Sequence, residues 1–203
     1  MHPNSKLLFQ KYAKSLFKDN MRVLEIGPEG HPSTYQEIVG NDTITWETLD
    51  MISNEELTYR VDSEYAYPIA SETFDIIISG QVIEHIRKVW LWVEELSRIS
   101  KVGGKVITIG PVSWPYHEAP VDCWRIHPEG MKALYEHAGL NVELSISETL
   151  EVTSTASRRM VPATSFIPQP IYKSVVKRLL GWPIPYSIDT ITIGVKEFES
   201  GKN

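Results

Sequence analysis

The stretch PVSWPYHEAPVDCWRIHPEG, residues 111–130, gathers several chemically reactive side-chain types into one proline-rich segment. It contains two histidines, an aspartate, an arginine and the only cysteine of the chain. Its histidines and cysteine lack the paired Cys-x-x-Cys spacing of a zinc site, so we predict no zinc here. Cys123 has no general base beside it in the sequence, and we expect a small buried residue. His117 is the candidate to accept a proton from a hydroxyl group.

A glycine-containing turn, VLEIGPEGHPS, lies near the beginning of the chain. Gly27 directly follows an apolar run and Gly30 precedes a predicted helix, which lets the backbone approach a ligand closely. The dinucleotide fingerprint would require glycine at Glu29 and Pro32, which disfavours a nicotinamide-dependent dehydrogenase. Glu25, at the end of the apolar run, would repel a pyrophosphate and attract a cationic group such as an ammonium or a sulfonium.

The elements that position these residues follow from hydrophobic periodicity and from turn residues. We predict strands at 21–27, 42–50, 57–62, 74–80, 105–110, 141–147 and 189–197, and helices at 4–18, 33–40, 82–100 and 127–139. In the third helix one buried face would carry Val89, Trp90, Val93, Leu96 and Ile99, and KVGG at 101–104 would end the helix. Alternating strands and helices predict an α/β fold with a parallel sheet, whose ligands bind at the carboxyl ends of the strands.

Two further carboxylates, Asp50 and Asp62, end the second and third predicted strands. With the turn at Glu25, the strand FDIIISG and the run KVGGKVITI in order, the chain resembles class I S-adenosylmethionine-dependent methyltransferases of the type 11 branch. The resemblance covers about residues 20–150. It implies one Rossmann-like, doubly wound domain over residues 1–203, with about seven strands, an antiparallel last strand and helices on both faces.

The resemblance also implies S-adenosylmethionine as cofactor and S-adenosylhomocysteine as product. Asp50 would hold the ribose, Asp62 with Ser63 would approach the adenine, and Gln81 would lie on the methionine side. The implied cofactor-binding residues are Glu25, Gly27, Gly30, Asp50, Met51, Asp62, Ser63 and Gln81.

A metal site is not predicted. Some methyltransferases hold a divalent ion with a Glu-x-x-Glu-His-x-x-His run, and the corresponding residues here are Gln81, Glu84, His85 and Lys88. Gln81 is a poor ligand and Lys88 would repel the ion, so Glu84 and His85 are expected to be structural or to face the substrate.

The segment after the fifth strand resembles a set of residues found in this branch, running from His117 to Gly130. It would lie beside the transferred methyl group. The predicted substrate-side residues are Tyr116, His117 and Arg125 from this part of the chain and His85 from the run at 81–88. An alternative remains open, in which Asp122 pairs with Arg125 to brace the loop and Trp124 packs beneath it.

Composition restricts the partners and the setting. The net charge of −6 over 203 residues argues against broad nucleic-acid binding, and no apolar run is long enough to cross a bilayer. A single cysteine and no leader sequence suggest a cytoplasmic protein. An insert at 153–186 is basic, with no acidic residue between Glu151 and Asp189. It could serve as a lid, a homodimer contact, a membrane-surface helix at 170–182, or an attractor of an anionic acceptor.

The leading functional hypothesis is methyl transfer to a small molecule or glycan, most readily on oxygen, with His117 as base. Two alternatives stay open. One is a catalytically silent protein that binds the cofactor as a partner subunit, and the other is a methyltransferase that acts on a protein or a nucleic acid.

Overall fold

The computed structural model describes residues 3–51, 56–114, 116–118, 121–150 and 189–198. The predictions about the insert at 153–186, including a membrane-surface helix at 170–182, concern residues outside these ranges. Among the described helices, none combines the length and the apolar character needed to span a membrane.

One sheet of seven strands organises the described chain. In chain order the strands are β1 Arg22–Ile26, β2 Thr45–Asp50, β3 Tyr59–Arg60, β4 Phe74–Gly80, β5 Ser100–Pro111, β6 Leu140–Glu148 and β7 Asp189–Lys196. Their order across the sheet is β3-β2-β1-β4-β5-β7-β6. The pairs among β1 to β5 are parallel, whereas β7 is antiparallel to both β5 and β6. The predicted fold class is confirmed, including the antiparallel last strand.

Helices cover both faces of the sheet, and each face has its own apolar core. The helices are α1 Pro3–Leu8, α2 Thr34–Val39, α3 Val89–Ile99 and α4 Pro128–His137. One core packs the sheet against α3 and α4 and includes the fully buried Trp92 and Tyr135. The other packs it against α1 and α2 and includes Phe9 and Tyr35. Burial of the sheet on both faces explains the continuous apolar sequence of β4.

The first two helices show how local sequence sets the element boundaries. The predicted helix at 4–18 is α1, extended by a π-type turn at Phe9–Ala13 and a 3₁₀ turn at Lys14–Leu16. In α2 the Ser33 hydroxyl accepts a hydrogen bond from the Gln36 backbone N–H at 3.1 Å, and Gly40 ends the helix with a φ of 59°. These are the cap and the stop that the sequence predicted.

The predicted helix at 82–100 was wrong in its continuity and in one buried residue. A 3₁₀ turn at Ile83–His85 comes first, and α3 begins only at Val89. Trp90 has an exposed fraction of 42%, whereas Trp92 is fully buried. Successive helical residues are about 100° apart around the helix axis. Trp92 is therefore next to the stripe of Val89, Val93 and Leu96, whereas Trp90 is turned further away from it towards solvent.

The KVGG run was expected to end this helix, but it lies inside a strand. α3 ends at Ile99, and β5 runs from Ser100 to Pro111. Its pairing with β4 is interrupted between Phe74 and Ile76, a bulge that accommodates the two glycines. A Cβ on Gly104 would lie 2.7 Å from the Ser100 hydroxyl oxygen, so close packing requires glycine there.

Two neighbouring tryptophans of α3 provide a matched stability test. Trp92 is fully buried and donates a hydrogen bond from Nε1 to the Tyr67 hydroxyl at 2.9 Å. We expect Trp92→Ala to lower the free energy of unfolding by about 3–5 kcal/mol, and Trp90→Ala to change it by less than about 1 kcal/mol. Urea unfolding followed by circular dichroism measures both changes; equal losses would contradict this assignment of the buried face.

Candidate active site

The loops after β1 and β4 meet at the centre of the sheet. The chain leaves these two neighbouring parallel strands towards opposite sides of the sheet. Gly27 has a φ of +69°, and a Cβ at this position would lie 2.5 Å from a methyl group of Val82. Its N–H donates to the Leu49 carbonyl oxygen at 2.9 Å, which ties the turn to the end of β2. The two loops can approach this closely only with glycine at position 27. Ligands bind at such a switch point in open α/β sheets.

A cavity of about 340 Å³ opens at this edge of the sheet. Its walls come from the ends of β1, β2 and β4 and from the segments that follow β3 and β4. Five predicted site residues line it, namely Gly27, Asp50, Met51, Gln81 and His85. The volume is that of a small-molecule site.

Three of the predicted cofactor residues lie next to the cavity in the chain but do not line it. Gly30 is exposed, with a φ of +84°. Asp62 is exposed, and the Ser63 hydroxyl accepts a hydrogen bond from the Tyr65 backbone N–H at 3.2 Å. Cavity contacts in this segment come instead from their neighbours Val61 and Glu64. The roles given to Gly30, Asp62 and Ser63 remain predictions.

Glu25 is buried behind the turn rather than in the cavity wall, with an exposed fraction of 1%. One carboxylate oxygen accepts hydrogen bonds from the Ser33 hydroxyl and, at 2.9 Å, from the Trp46 indole N–H. The other oxygen, Oε1, has no hydrogen-bond partner among the described residues. Burial raises the pKa of Glu25 to about 7, although the two hydrogen bonds oppose the shift. A cationic ligand would favour the ionised form of this carboxyl group.

Gln81 links the cavity to the N-terminal helix. It has a φ of +60°, a left-handed conformation that is uncommon outside glycine. Its Nε2 donates to the Ser5 hydroxyl at 2.7 Å and to a carboxylate oxygen of Asp189 at 2.9 Å. The other Asp189 oxygen accepts from the Asn4 amide at 2.9 Å, and all three partners are fully buried. Strained backbone persists where its surroundings fix it in this way, and it is frequent in binding sites.

Several cavity residues were missed in the sequence. Glu64 accepts a hydrogen bond from the Arg87 backbone N–H at 2.9 Å and pairs with the Arg87 guanidinium, which closes one side of the cavity. Tyr67 and Ile86 supply apolar wall. No local pattern marks these residues, because Glu64 and Arg87 come from segments that only the folded sheet brings together.

The loop after β5 is braced from within, as one interpretation of the sequence predicted. Both oxygens of Asp122 accept hydrogen bonds from the Arg125 guanidinium, one of them at 2.6 Å. This guanidinium holds the pKa of Asp122 well below its usual range. The Trp124 indole N–H donates to the Ile86 carbonyl oxygen at 2.8 Å, and its ring packs on the core. A substrate-side role for Arg125 remains a prediction.

Two other residues of this loop are more exposed than a binding wall requires. Tyr116 has an exposed fraction of 71%, and its hydroxyl donates to Glu118 at 2.7 Å, so its substrate-side role also remains a prediction. Cys123 was expected to be buried, but it is exposed. Its backbone N–H donates to the Glu84 carbonyl oxygen at 2.7 Å, so Cys123 contacts the turn after β4 through main chain while its side chain faces outwards.

His117 lies beside the end of β4, although it is more than 30 residues away in sequence. Its ring is 5.2 Å from that of His85, centroid to centroid, and both histidines have ligating atoms within 4.8 Å of a Glu84 carboxylate oxygen. Glu84 has an exposed fraction of 1%, and burial raises its pKa to about 8. The predicted base and the predicted substrate-facing histidine therefore share one cluster at the end of the cavity.

Comparison with known proteins agrees with this geometry. The family model described as a methyltransferase domain, type 11, matches residues 37–108. No curated protein sequence matches the chain.

Solved structures show the same fold at low sequence identity. A chain in the complex between the Haloferax volcanii Trm112 methyltransferase activator and a methyltransferase has a TM-score of 0.66 and 17% identity, over 97% of this chain and 94% of that one. A sarcosine dimethylglycine methyltransferase from Galdieria sulphuraria has a TM-score of 0.64 and 12% identity, over 95% of this chain and 85% of that one. Haemonchus contortus phosphoethanolamine N-methyltransferase 2, in complex with phosphomonomethylethanolamine and S-adenosylhomocysteine, has a TM-score of 0.62 and 15% identity, over 96% of this chain and 52% of that one.

The fold and the family-model match over residues 37–108 are those of class I S-adenosylmethionine-dependent methyltransferases. The resemblance to the type 11 branch is confirmed, and S-adenosylmethionine is the cofactor of this class. The residues that bind it, the acceptor and the oligomeric state remain proposals.

Burial of Glu25 predicts a pH dependence of stability. Its folded pKa of about 7 lies above the usual glutamate pKa of 4.5, so the native state holds an extra proton between these pH values. The free energy of unfolding should fall by about 3 kcal/mol as pH rises through this window. Glu25→Gln should remove that share of the fall, whereas Glu37→Gln, at an exposed position of α2, should keep it. Urea unfolding without cofactor at pH 5 and pH 8 measures the difference; identical slopes in Glu25→Gln and wild type would contradict it.

Proposed function

We propose that this chain transfers the methyl group of S-adenosylmethionine to an oxygen of a small molecule or glycan. The observation that carries the proposal is a cavity that has an acidic strand end, Asp50, on one side and a histidine, His85, on the other. A carboxylate at the end of β2 suits two ribose hydroxyls. Proton-accepting side chains at the opposite end suit an acceptor that must lose a proton.

The reaction is a displacement at one carbon. The bond between the methyl carbon and the sulfonium sulfur breaks with its electron pair left on sulfur, and the acceptor oxygen forms the new bond to that carbon. The hydroxyl proton must leave, and His117 is the group that we propose to accept it. The protein otherwise orients the acceptor in line with the carbon–sulfur bond and excludes water.

Oxygen is favoured over nitrogen by the chemistry of the cluster. A neutral amine already has the lone pair that attacks, whereas a hydroxyl needs a base at the moment of transfer. His85 lines the cavity, and the His117 ring lies 5.2 Å from the His85 ring, so both are placed where such a base would be useful. Two of the similar structures are named for nitrogen-containing acceptors, so the acceptor atom requires a direct test.

Cofactor binding can be tested at Asp50. We expect wild-type protein to bind S-adenosylhomocysteine in isothermal titration calorimetry and Asp50→Asn to bind it at least tenfold more weakly, because hydrogen bonds to a charged group are lost. Asp42→Asn, an exposed position outside this cavity, is the control and should match wild type. Equal affinities in wild type and Asp50→Asn would refute the proposed ribose contact.

A substitution at His117 distinguishes an effect on the methyl-transfer step from an effect on cofactor binding. We expect His117→Gln to slow methyl transfer about 100-fold and to leave the affinity for S-adenosylhomocysteine within about twofold, since the residue lies outside the cofactor side of the cavity. His137→Gln is the control because His137 is an exposed histidine that pairs with Glu94 at 3.0 Å. Transfer rates that are equal in all three proteins would remove His117 from the mechanism.

The acceptor can be found with labelled cofactor. Cell extract incubated with the protein and methyl-labelled S-adenosylmethionine should yield one labelled small molecule or glycan, and its acid and base stability should distinguish an ether or ester from an amine. Cofactor binding without any transfer would support the silent partner subunit instead. Label in protein or nucleic acid would support the macromolecular alternative.

A further inference from the structure

We propose that Glu84, His85 and His117 bind a divalent transition-metal ion at the acceptor end of the cavity. Glu84 and His85 lie in the 3₁₀ turn after β4, and His117 comes from the loop after β5. The three side chains each place one ligating atom within 4.8 Å of the others, and Glu84 Oε1 is 3.8 Å from His85 Nε2. In a tetrahedral zinc site the ligating atoms are about 3.4 Å apart. Side-chain rotations that close the group by about 1 Å would complete the site.

His85 is held in the orientation that metal ligands usually have, and His117 lies close to a comparable partner. His85 Nδ1 lies 2.5 Å from the Val121 carbonyl oxygen, which can only accept, so this nitrogen carries the proton and Nε2 has the lone pair. His117 Nδ1 faces a carboxylate oxygen of Asp122 at 3.4 Å. A carbonyl or carboxylate behind the ring fixes the tautomer and leaves Nε2 as the coordinating nitrogen.

Glu84 provides independent support for a cation. Its side chain has an exposed fraction of 1%, and neither carboxylate oxygen has a hydrogen-bond partner among the described residues. A buried carboxyl group without donors is costly unless a charge compensates it. The charge of Arg125 favours the ionised form of Glu84, but its guanidinium already donates to Asp122 and to the Trp114 and Trp124 carbonyl oxygens.

The cluster is assembled by contacts between two loops. The Cys123 backbone N–H donates to the Glu84 carbonyl oxygen at 2.7 Å, and the Trp124 indole donates to the Ile86 carbonyl oxygen at 2.8 Å. With the His85 contact to Val121, these bonds hold the loop after β5 against the turn after β4. Such support beneath three ligands is what a metal site requires.

The objection raised by the sequence does not apply to this set of ligands. It considered only the run at 81–88, in which Gln81 and Lys88 take two ligand positions. Gln81 instead donates to Ser5 and Asp189, and Lys88 is exposed at the beginning of α3. The third ligand comes from the distant His117.

Two histidines and one carboxylate are the ligand set of catalytic zinc sites, which keep a further position open. His85 lines the cavity, so that open position would face the acceptor. The catalytic consequence rests on the proposed function: an ion there would lower the pKa of an acceptor hydroxyl bound at the open position, so that its proton could leave to solvent, and His117 would serve as a ligand instead of the base.

Cobalt(II) is the probe, because its visible absorption reports four- or five-coordinate geometry. Protein is first treated with a chelator, freed of it, and titrated with Co²⁺ without cofactor; Zn²⁺ calorimetry gives the stoichiometry. We expect one ion per chain and at least tenfold weaker binding in His117→Ala and in the near-isosteric Glu84→Gln. Cys123→Ser and His137→Ala are controls that should bind like wild type, because the first removes the exposed thiol and the second an exposed His–Glu pair.

Absence of Co²⁺ binding to wild type, or equal binding to wild type and to His117→Ala, would overturn the proposal. Circular dichroism and urea unfolding verify that each variant is folded, and His117→Ala changes a partly exposed residue, so the test stands if Glu84→Gln is unstable. Metal binding without S-adenosylhomocysteine binding would refute the proposed function alone. Cofactor binding and methyl transfer that survive chelation, with no Co²⁺ binding, would refute the metal site alone.

Discussion

The left-handed turn at Gln81 is the constraint on which the site depends. It ends the central strand β4, and its side-chain amide is held by Ser5 from α1 and Asp189 from β7. The two anchoring elements lie at opposite ends of the chain, so the turn acquires its geometry only when the whole sheet has formed. The 3₁₀ turn that carries Glu84 and His85 begins two residues after Gln81 and is held in addition by hydrogen bonds from the loop after β5. Gln81 thus contributes to fixing the two ends of the cavity relative to each other.

The buried carboxyl groups at this edge of the sheet differ in whether a neighbouring charge compensates them. Glu25 and Glu84 are both almost fully buried, and burial raises the pKa of each carboxyl group. Asp122 differs because the Arg125 guanidinium keeps it ionised. Glu25 and Glu84 therefore lack a compensating charge where ligands would arrive, whereas the charge of Asp122 is compensated within the loop that it braces. A sulfonium cofactor and a metal ion are both cations, which suits this distribution.

Local sequence was sufficient for the number and order of the strands, the caps of α2 and the fold class, although β5 begins at Ser100 and not at Lys105. β4 was predicted from Phe74 to Gly80 with its observed bounds, and Ser33 and Gly40 cap α2 as expected. The helix after β4 was placed less well, because a separate 3₁₀ turn at Ile83–His85 precedes it, and Trp92 rather than Trp90 lies beside its buried stripe. The approach of His117 to Glu84 could not be predicted, since it depends on hydrogen bonds between two loops that are distant in sequence.

The antiparallel pairing of β6 with β7 has an evolutionary consequence. Glu148 and Asp189 are opposite each other in the register, at the carboxyl end of β6 and the beginning of β7. The chain between Leu150 and Asp189 therefore leaves and re-enters the sheet at one point, on the same edge as the cavity. A segment attached in this way can be lengthened, shortened or exchanged without altering any of the six strand pairings.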